Sequence, residues 1–433
     1  MIEKHFYQQS KQMGVFNPKE QRKQVRGGIY IQLEQTVFMS NQIIRGLINI
    51  NLEEPFQGHV LSITLNGKEE TQFTIPRQRK AGNQHQIMAC QVKGFNNFLN
   101  FTIPIYDFSQ GSMDHKFIIQ PCQVVIPFEL VIGDKLPSSM QYSNKPEEVE
   151  CSIKYTLVAQ IIPTEDNLKP IEGVQEIFIG QQFPSYYLHD NFTSTQQPIL
   201  CGCYKSGRII YNVTTNSNSF SPNEQIIVKL DVDFNQYRKK VKYLNVKLAG
   251  LLTVKVNDTD YSKQAQIYEQ TIRVDVNEQS RLLKEVQLSI PHNITLSSQS
   301  SLIKVDYNLL IYPEIDTSCV VSYTCPHKIE IFMNPSQDGN QSGAPQLLLI
   351  KIPQNWNPTQ LQPSEFNEKQ ISQIKEQQNS YFQKESKKVN YSEIKEGYYT
   401  NESKQTKKIN KMPNIVTSQI DPINQPLMTD QNK

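Results

Sequence analysis

The residues whose types and spacing could do chemistry support binding better than catalysis. Cys201-Gly202-Cys203 places two thiols close together, but two thiolates do not complete a tetrahedral zinc site. Cys319 and Cys325, followed by His327, could join them in space, yet no second Cys/His pair has matching spacing. Ordinary strand-end cysteines are the plainer reading, and palmitoylation of Cys201 or Cys203 is a further option. The seven histidines, among them His59, His115 and His292, have no Gly-x-Ser-x-Gly signature beside them. No glycine-rich phosphate loop occurs. Asp231 and Asp233 alternate along a strand pattern, where paired carboxylates are ordinarily solvated charge. Trp356, the single Trp, lies in a polar stretch and makes no carbohydrate platform. The expectation is a non-enzyme, with no catalytic, cofactor-binding or metal-binding residue.

Binding residues are easier to name. Tyr391-Ser392-Glu393-Ile394 fits the sorting pattern Tyr-x-x-(bulky apolar), in which an extended segment joins a sheet edge. Tyr391 and Ile394 would fill the two pockets. Tyr155, Tyr243 and Tyr307 begin the same pattern inside expected strands, so the Tyr391 copy is the accessible one. Tyr237-Arg238-Lys239-Lys240-Val241-Lys242 concentrates cations between two expected strands. Arg238, Lys239, Lys240 and Lys242 are candidates for contact with anionic lipid, each adding about 1 kcal/mol near a membrane surface. A solvated turn is the alternative. The N-terminal group Lys19, Arg22, Lys23 and Arg26, and the set Arg77, Arg79 and Lys80, pose the same choice. Ser386 and Thr400 lie beside lysines, where phosphorylation would add about 1.5–2 negative charges.

The elements that must position these residues are strands. Ile29, Ile31 and Leu33 fall on one face, with Tyr30, Gln32 and Glu34 on the other. Ile44, Ile48, Ile50 and Leu52 follow, with Gly46 where one backbone lies close to another. Such period-two alternation predicts half-buried antiparallel strands. Asn66-Gly67 reads as a hairpin turn. Ile153, Tyr155, Leu157, Ala159 and Ile161 continue the pattern. A second series runs through Ile226–Phe234, Leu244–Leu248, Ile272–Val276, Val286–Ile290 and Ile303–Ile311.

The predicted fold is all-β, with two antiparallel immunoglobulin-like β-sandwiches in tandem and a disordered C-terminal tail. The expected divisions are a polar arm over 1–27, a sandwich over 28–180 and a linker over 181–203. A second sandwich over 204–334 and a low-complexity tail over 335–433 complete them. Within that tail, Leu347 to Ile352 could add a strand to a sheet edge.

Composition narrows the function classes. Hydrophobic residues make up 37% and charged residues 20%, with a net charge of +2, which lacks the basicity of a nucleic-acid binder. No apolar run reaches the roughly 18–20 residues that cross a bilayer. The N-terminus has no apolar leader core, and seven scattered cysteines form an odd set. Reduced thiols in the cytosol are expected, with sequons such as those at Asn100, Asn191 and Asn212 unused.

Three stretches resemble the arrestin superfamily, most closely the α-arrestins. Tyr30 through Leu65-Asn66-Gly67, including Gly46-Leu47-Ile48, is similar to its opening strands. Phe117-Ile118-Ile119-Gln120-Pro121 through Leu136-Pro137-Ser138-Ser139-Met140 is similar to its Leu-Pro-Ser-Ser-Phe segment, with Met140 replacing the aromatic. Cys201-Gly202-Cys203, Ser206-Gly207-Arg208-Ile209 and Phe220-Ser221-Pro222-Asn223-Glu224-Gln225-Ile226 resemble the start of its C-terminal domain, with Asn223 where Gly is usual. The resemblance covers roughly residues 28–333.

It implies a non-catalytic adaptor that binds cytoplasmic parts of membrane receptors or transporters. The family links such cargo to ubiquitin ligases, clathrin adaptors or sorting coats, at the plasma membrane or endosomes. No Pro-Pro-x-Tyr motif occurs, and Pro184-Ser185-Tyr186-Tyr187 is a poor substitute for the usual ligase-docking motif. A retromer-type coat subunit is the alternative within the fold. A β-sandwich enzyme or a secreted binding module is the alternative of another class.

Overall fold

The structure is a computed structural model. It describes residues 23–81, 84–110, 117–165, 167–183, 192–200, 204–205, 207–256, 261–276, 280–315, 322–323, 326–336, 355–366, 368–372 and 376. The strands lie within the compact unit Met1–Tyr381.

The N-lobe is built from β1 (Gly27–Leu33), β2 (Ile43–Leu52), β3 (Val60–Ala81), β4 (Gln84–Asp107), β5 (Cys122–Val131), β6 (Val149–Ile161) and β7 (Ile171–Gly180). One sheet orders β1, β2 and β5, with Gly27 opposite Leu52 and Leu33 opposite Gly46. The facing sheet orders Val37–Met39, β7, β6, β3 and β4, and Met140–Asn144 pairs with β6. Alternation decides which side is buried. Ile29, Ile31, Leu33, Ile44, Ile48 and Ile50 face Leu61, Ile63, Leu65, Tyr155, Leu157 and Ile161 in the core. Each Å² of apolar surface so buried contributes about 25 cal/mol.

The C-lobe repeats this plan with β8 (Ile209–Thr215), β9 (Gln225–Asp233), β10 (Val241–Lys255), β11 (Ser262–Asp275), β12 (Arg281–Ser289), β13 (Ile303–Ile315) and β14 (His327–Met333). Phe192–Gln196, β8, β9 and β12 form one sheet; Ser219–Phe220, β14, β13, β10 and β11 form the other. In each lobe a short strand runs parallel to the last long one. In each, an asparagine takes up the turn that follows at positive φ, Asn41 at 67° and Asn223 at 69°. Asn223 therefore does take the left-handed conformation for which glycine is usual.

The repetition extends to the core. Tyr155 of β6 donates its hydroxyl to the Pro137 carbonyl at 2.7 Å, and Tyr307 of β13 donates to the Thr295 carbonyl at 2.6 Å. A glycine makes room for each ring. A Cβ at Gly67 would come within 2.9 Å of Tyr155, and one at Gly250 within 2.5 Å of Tyr307. Both glycines sit at register shifts, against β4 and β11 respectively. This corrects the expected turn at Asn66-Gly67. The β3 strand runs straight through both residues to Ala81, which pairs with Gln84. Gly67 is there for the aromatic contact, not for chain reversal.

Residues 355–366, in the stretch expected to be a tail, lie along the N-lobe. β15 (Thr359–Gln360) pairs in parallel with Val124 and Val125 of β5, adding a fourth strand to that sheet. Leu347 to Ile352 lie outside the described residues.

Candidate interlobe interface and binding surfaces

The lobes meet through equivalent segments. Leu136-Pro137-Ser138-Ser139 precedes the Met140–Asn144 strand, and Ile294-Thr295-Leu296-Ser297 occupies the same place before the Ser298–Gln299 strand that pairs with β13. Each is tied to the last long strand of its own lobe in one way. Ser139 Oγ accepts the Ile179 N–H at 2.9 Å, and Ser297 Oγ accepts the Met333 N–H at 2.8 Å. The two segments then bond to each other. Ser138 Oγ donates to the Ser297 carbonyl at 2.9 Å and accepts the Gln181 N–H at 3.0 Å. Ser298 Oγ donates back to the Ser138 carbonyl at 3.4 Å.

A second contact surrounds Glu69 of β3, whose side chain is fully buried. Its carboxylate accepts from Asn96 Nδ2 at 2.8 Å and from the Leu302 N–H at 3.1 Å. The hydroxyls of Ser300 and Ser301 also donate to it. Beside it, Thr71 Oγ1 donates to the Lys255 carbonyl at 2.6 Å. Burial first, and then the Glu69 carboxylate, push the Tyr155 hydroxyl pKa up. The serine-rich stretch Ser297-Ser298-Gln299-Ser300-Ser301 thus supplies most of the C-lobe's side of the junction. Sequence reasoning missed it, because hydroxyl residues in a loop have no periodicity to read.

The linker start is gripped by Asn334. Its Oδ1 accepts the Phe183 N–H at 3.0 Å and its Nδ2 donates to the Phe183 carbonyl at 2.8 Å, while the Phe183 and Phe332 rings stack 4.7 Å apart. Alongside runs an open groove of about 830 Å³ lined by Ser40, Asn41, Asp134, Asn216, Ser219 and Glu224.

The basic residues Arg238, Lys239 and Lys240 are exposed together between β9 and β10. Lys242 follows on β10 with its Nζ 5.2 Å from the Tyr243 ring centre, and Arg273 covers that ring at 3.6 Å. The neighbouring Tyr237 is buried and anchors the turn, its N–H donating to the Phe234 carbonyl at 2.8 Å. Tyr391, Ile394, Ser386, Thr400 and the four cysteines from Cys201 to Cys325 lie outside the described residues, as do Lys19 and Arg22. Arg26 is paired with Glu54 at 2.7 Å. Arg77 is exposed, and the side chains of Arg79 and Lys80 lie outside the described ones.

His327 is buried at the start of β14, its Nδ1 2.6 Å from Ser194 Oγ and its ring stacked on Tyr211. Burial lowers its pKa. Its Nε2 meets no partner among the described residues, so the pair lacks the orienting acid of a nucleophilic triad there. Among the described residues no three His, Cys, Asp or Glu side chains converge on a metal position. Cys90, Cys122 and Cys151 are free thiols, and burial pushes Cys151 up to about 12. No described helix is long and apolar enough to cross a membrane.

With this geometry the comparison is direct: residues 205–336 match the family model for the arrestin (or S-antigen) C-terminal domain. The C-lobe is arrestin-like. The match supports the arrestin superfamily, and covers less than a third of the 433-residue chain. No curated protein matches the chain. The N-lobe repeats the main strand order of the arrestin-like C-lobe, together with the tyrosine, the glycine beneath it and the serine that ties each segment to the last long strand.

Proposed function

We propose that this chain is a non-catalytic, α-arrestin-like adaptor. It binds extended cytoplasmic segments of membrane receptors or transporters and links them to endocytic or endosomal sorting machinery. The observation that carries this reading is the peptide held on the β5 edge. The Asn357 N–H donates to Gln123 Oε1 at 3.0 Å and the Leu361 N–H to the Val125 carbonyl at 2.9 Å. The Ser364 N–H then donates to the Ile105 carbonyl at 3.0 Å, and Ser364 Oγ accepts the Asp107 N–H at 3.0 Å. An edge that takes a Pro-flanked segment of its own chain has the donors, acceptors and apolar footing for a partner strand that displaces that segment.

The exposed cations Arg238, Lys239, Lys240 and Lys242 support contact with anionic lipid on the cytoplasmic face of the plasma membrane or endosomes. Tyr391 and Ile394 supply a sorting motif for a clathrin adaptor. With no Pro-Pro-x-Tyr motif, a ubiquitin ligase would have to be reached by another route. That same lack favours the second reading, a retromer-type coat subunit fixed to one large partner. Crosslinked affinity purification of the full chain, and of the chain without residues 335–433, separates the two. Membrane cargo together with clathrin-adaptor or ligase components, dependent on those residues, is the expected result. One stoichiometric large partner retained without them would replace the adaptor by the coat subunit.

A further inference from the structure

Glu69 breaks the pattern of its own strand. It faces inward in the series with Thr71 and Phe73, and two residues beyond the matching glycine of β10 the C-lobe has the fully buried Leu252. A carboxylate at such a position is tolerated only when its oxygens are hydrogen-bonded. All its donors here are neutral: Asn96 on the neighbouring strand, and Ser300, Ser301 and the Leu302 N–H on the other lobe. Most of them belong to the C-lobe, so parting the lobes would strand the charge.

We propose that Glu69 and the Ser300–Leu302 turn form a latch between the lobes, and that Ser301 is a phosphorylation site that releases it. Ser301 is exposed while Ser300 is half-buried, so Ser301 is the hydroxyl a serine kinase reaches. The phosphoryl donor is ATP. The Ser301 Oγ–P bond forms as the bond from the γ-phosphorus to the β,γ-bridging oxygen breaks; ADP leaves, and the hydroxyl proton passes to the kinase's base. The modified Oγ has no proton to donate to Glu69. It also brings about 1.5–2 negative charges against a carboxylate whose donors carry no positive charge. The Ser138–Ser297 contact has no ionised member, so the added charge acts on Glu69 and not on it. This inference goes beyond the adaptor reading and stands without it.

Amide hydrogen exchange at Leu302, with small-angle scattering of the full chain, tests the latch in wild type, Ser301→Ala, Ser301→Asp and Ser301→Asp/Glu69→Gln. Ser301→Asp is expected to speed Leu302 exchange by about tenfold or more and to enlarge the radius of gyration. Ser301→Ala should change both far less, and Glu69→Gln should reverse the effect of Ser301→Asp by removing the repelled charge. If Ser301→Asp behaves like Ser301→Ala, or if Glu69→Gln does not reverse it, the latch is overturned. Should Ser301→Asp not fold, recovery on adding Glu69→Gln supports the repulsion and no recovery overturns it. Phosphopeptide mapping of the chain isolated from its own cells with phosphatases inhibited tests the site itself. Phosphate on Ser301 is expected, and an unmodified Ser301 peptide overturns the assignment.

Discussion

Tyr155 and Tyr307 hold in place the segments by which the lobes touch. Each buries a ring and gives its hydroxyl to a carbonyl two residues before the serine that ties its segment to the last strand. Tyr307→Phe leaves the Thr295 carbonyl short of a partner, and should cost about 1–2 kcal/mol in calorimetric unfolding. His327 makes stability depend on pH. Its folded pKa lies below the ordinary 6.5, so the unfolded chain takes up the proton first as pH falls. The contribution of neutral His327 is complete above about pH 6.5 and is lost progressively below it, by at most about 1.4 kcal/mol per pH unit. Thermal melts between pH 7 and 5 should show this slope, and His327→Gln should flatten it. The tyrosines were legible in the sequence as inward-facing members of an alternating series. Their hydroxyl partners were not, since those depend on where a loop twelve or more residues away returns.

At the scale of the element, alternation located the strands and local turn chemistry misled. Asn66-Gly67 has the composition of a turn, but the glycine answers to Tyr155 and Phe98, which approach from other strands. Gly250 carries the same burden without any turn signal, and Gly250→Ala should destabilise the C-lobe by about 1–3 kcal/mol through overpacking against Tyr307. β15 was hidden for the opposite reason. Asn-Pro-Thr-Gln-Leu-Gln-Pro looks like unstructured chain, and only a waiting sheet edge and a place for Leu361 make it a strand. Leu361→Asp should detach it, seen as lost protection of the Leu361 and Asp107 amides in hydrogen exchange.

At the scale of the whole molecule, two lobes of like plan are joined in large part by serine hydroxyls and one buried carboxylate. The serines that make this junction lie 231 and 232 residues from Glu69 in sequence, beyond the reach of any local pattern. The basic turn after β9 belongs to this scale too, since a membrane meets the whole particle. Replacing Arg238, Lys239 and Lys240 by Glu should weaken binding to phosphatidylserine vesicles by about a hundredfold or more, and added salt should narrow the difference. Flotation or vesicle sedimentation measures it. The return of residues 355–364 to the β5 edge has a consequence for how the molecule is made. The N-lobe leaves the ribosome first, but its first sheet lacks its last strand until the entire C-lobe has been synthesised. A nascent chain halted before residue 355 would carry an open β5 edge, so the N-lobe, made before the C-lobe, would be completed after it.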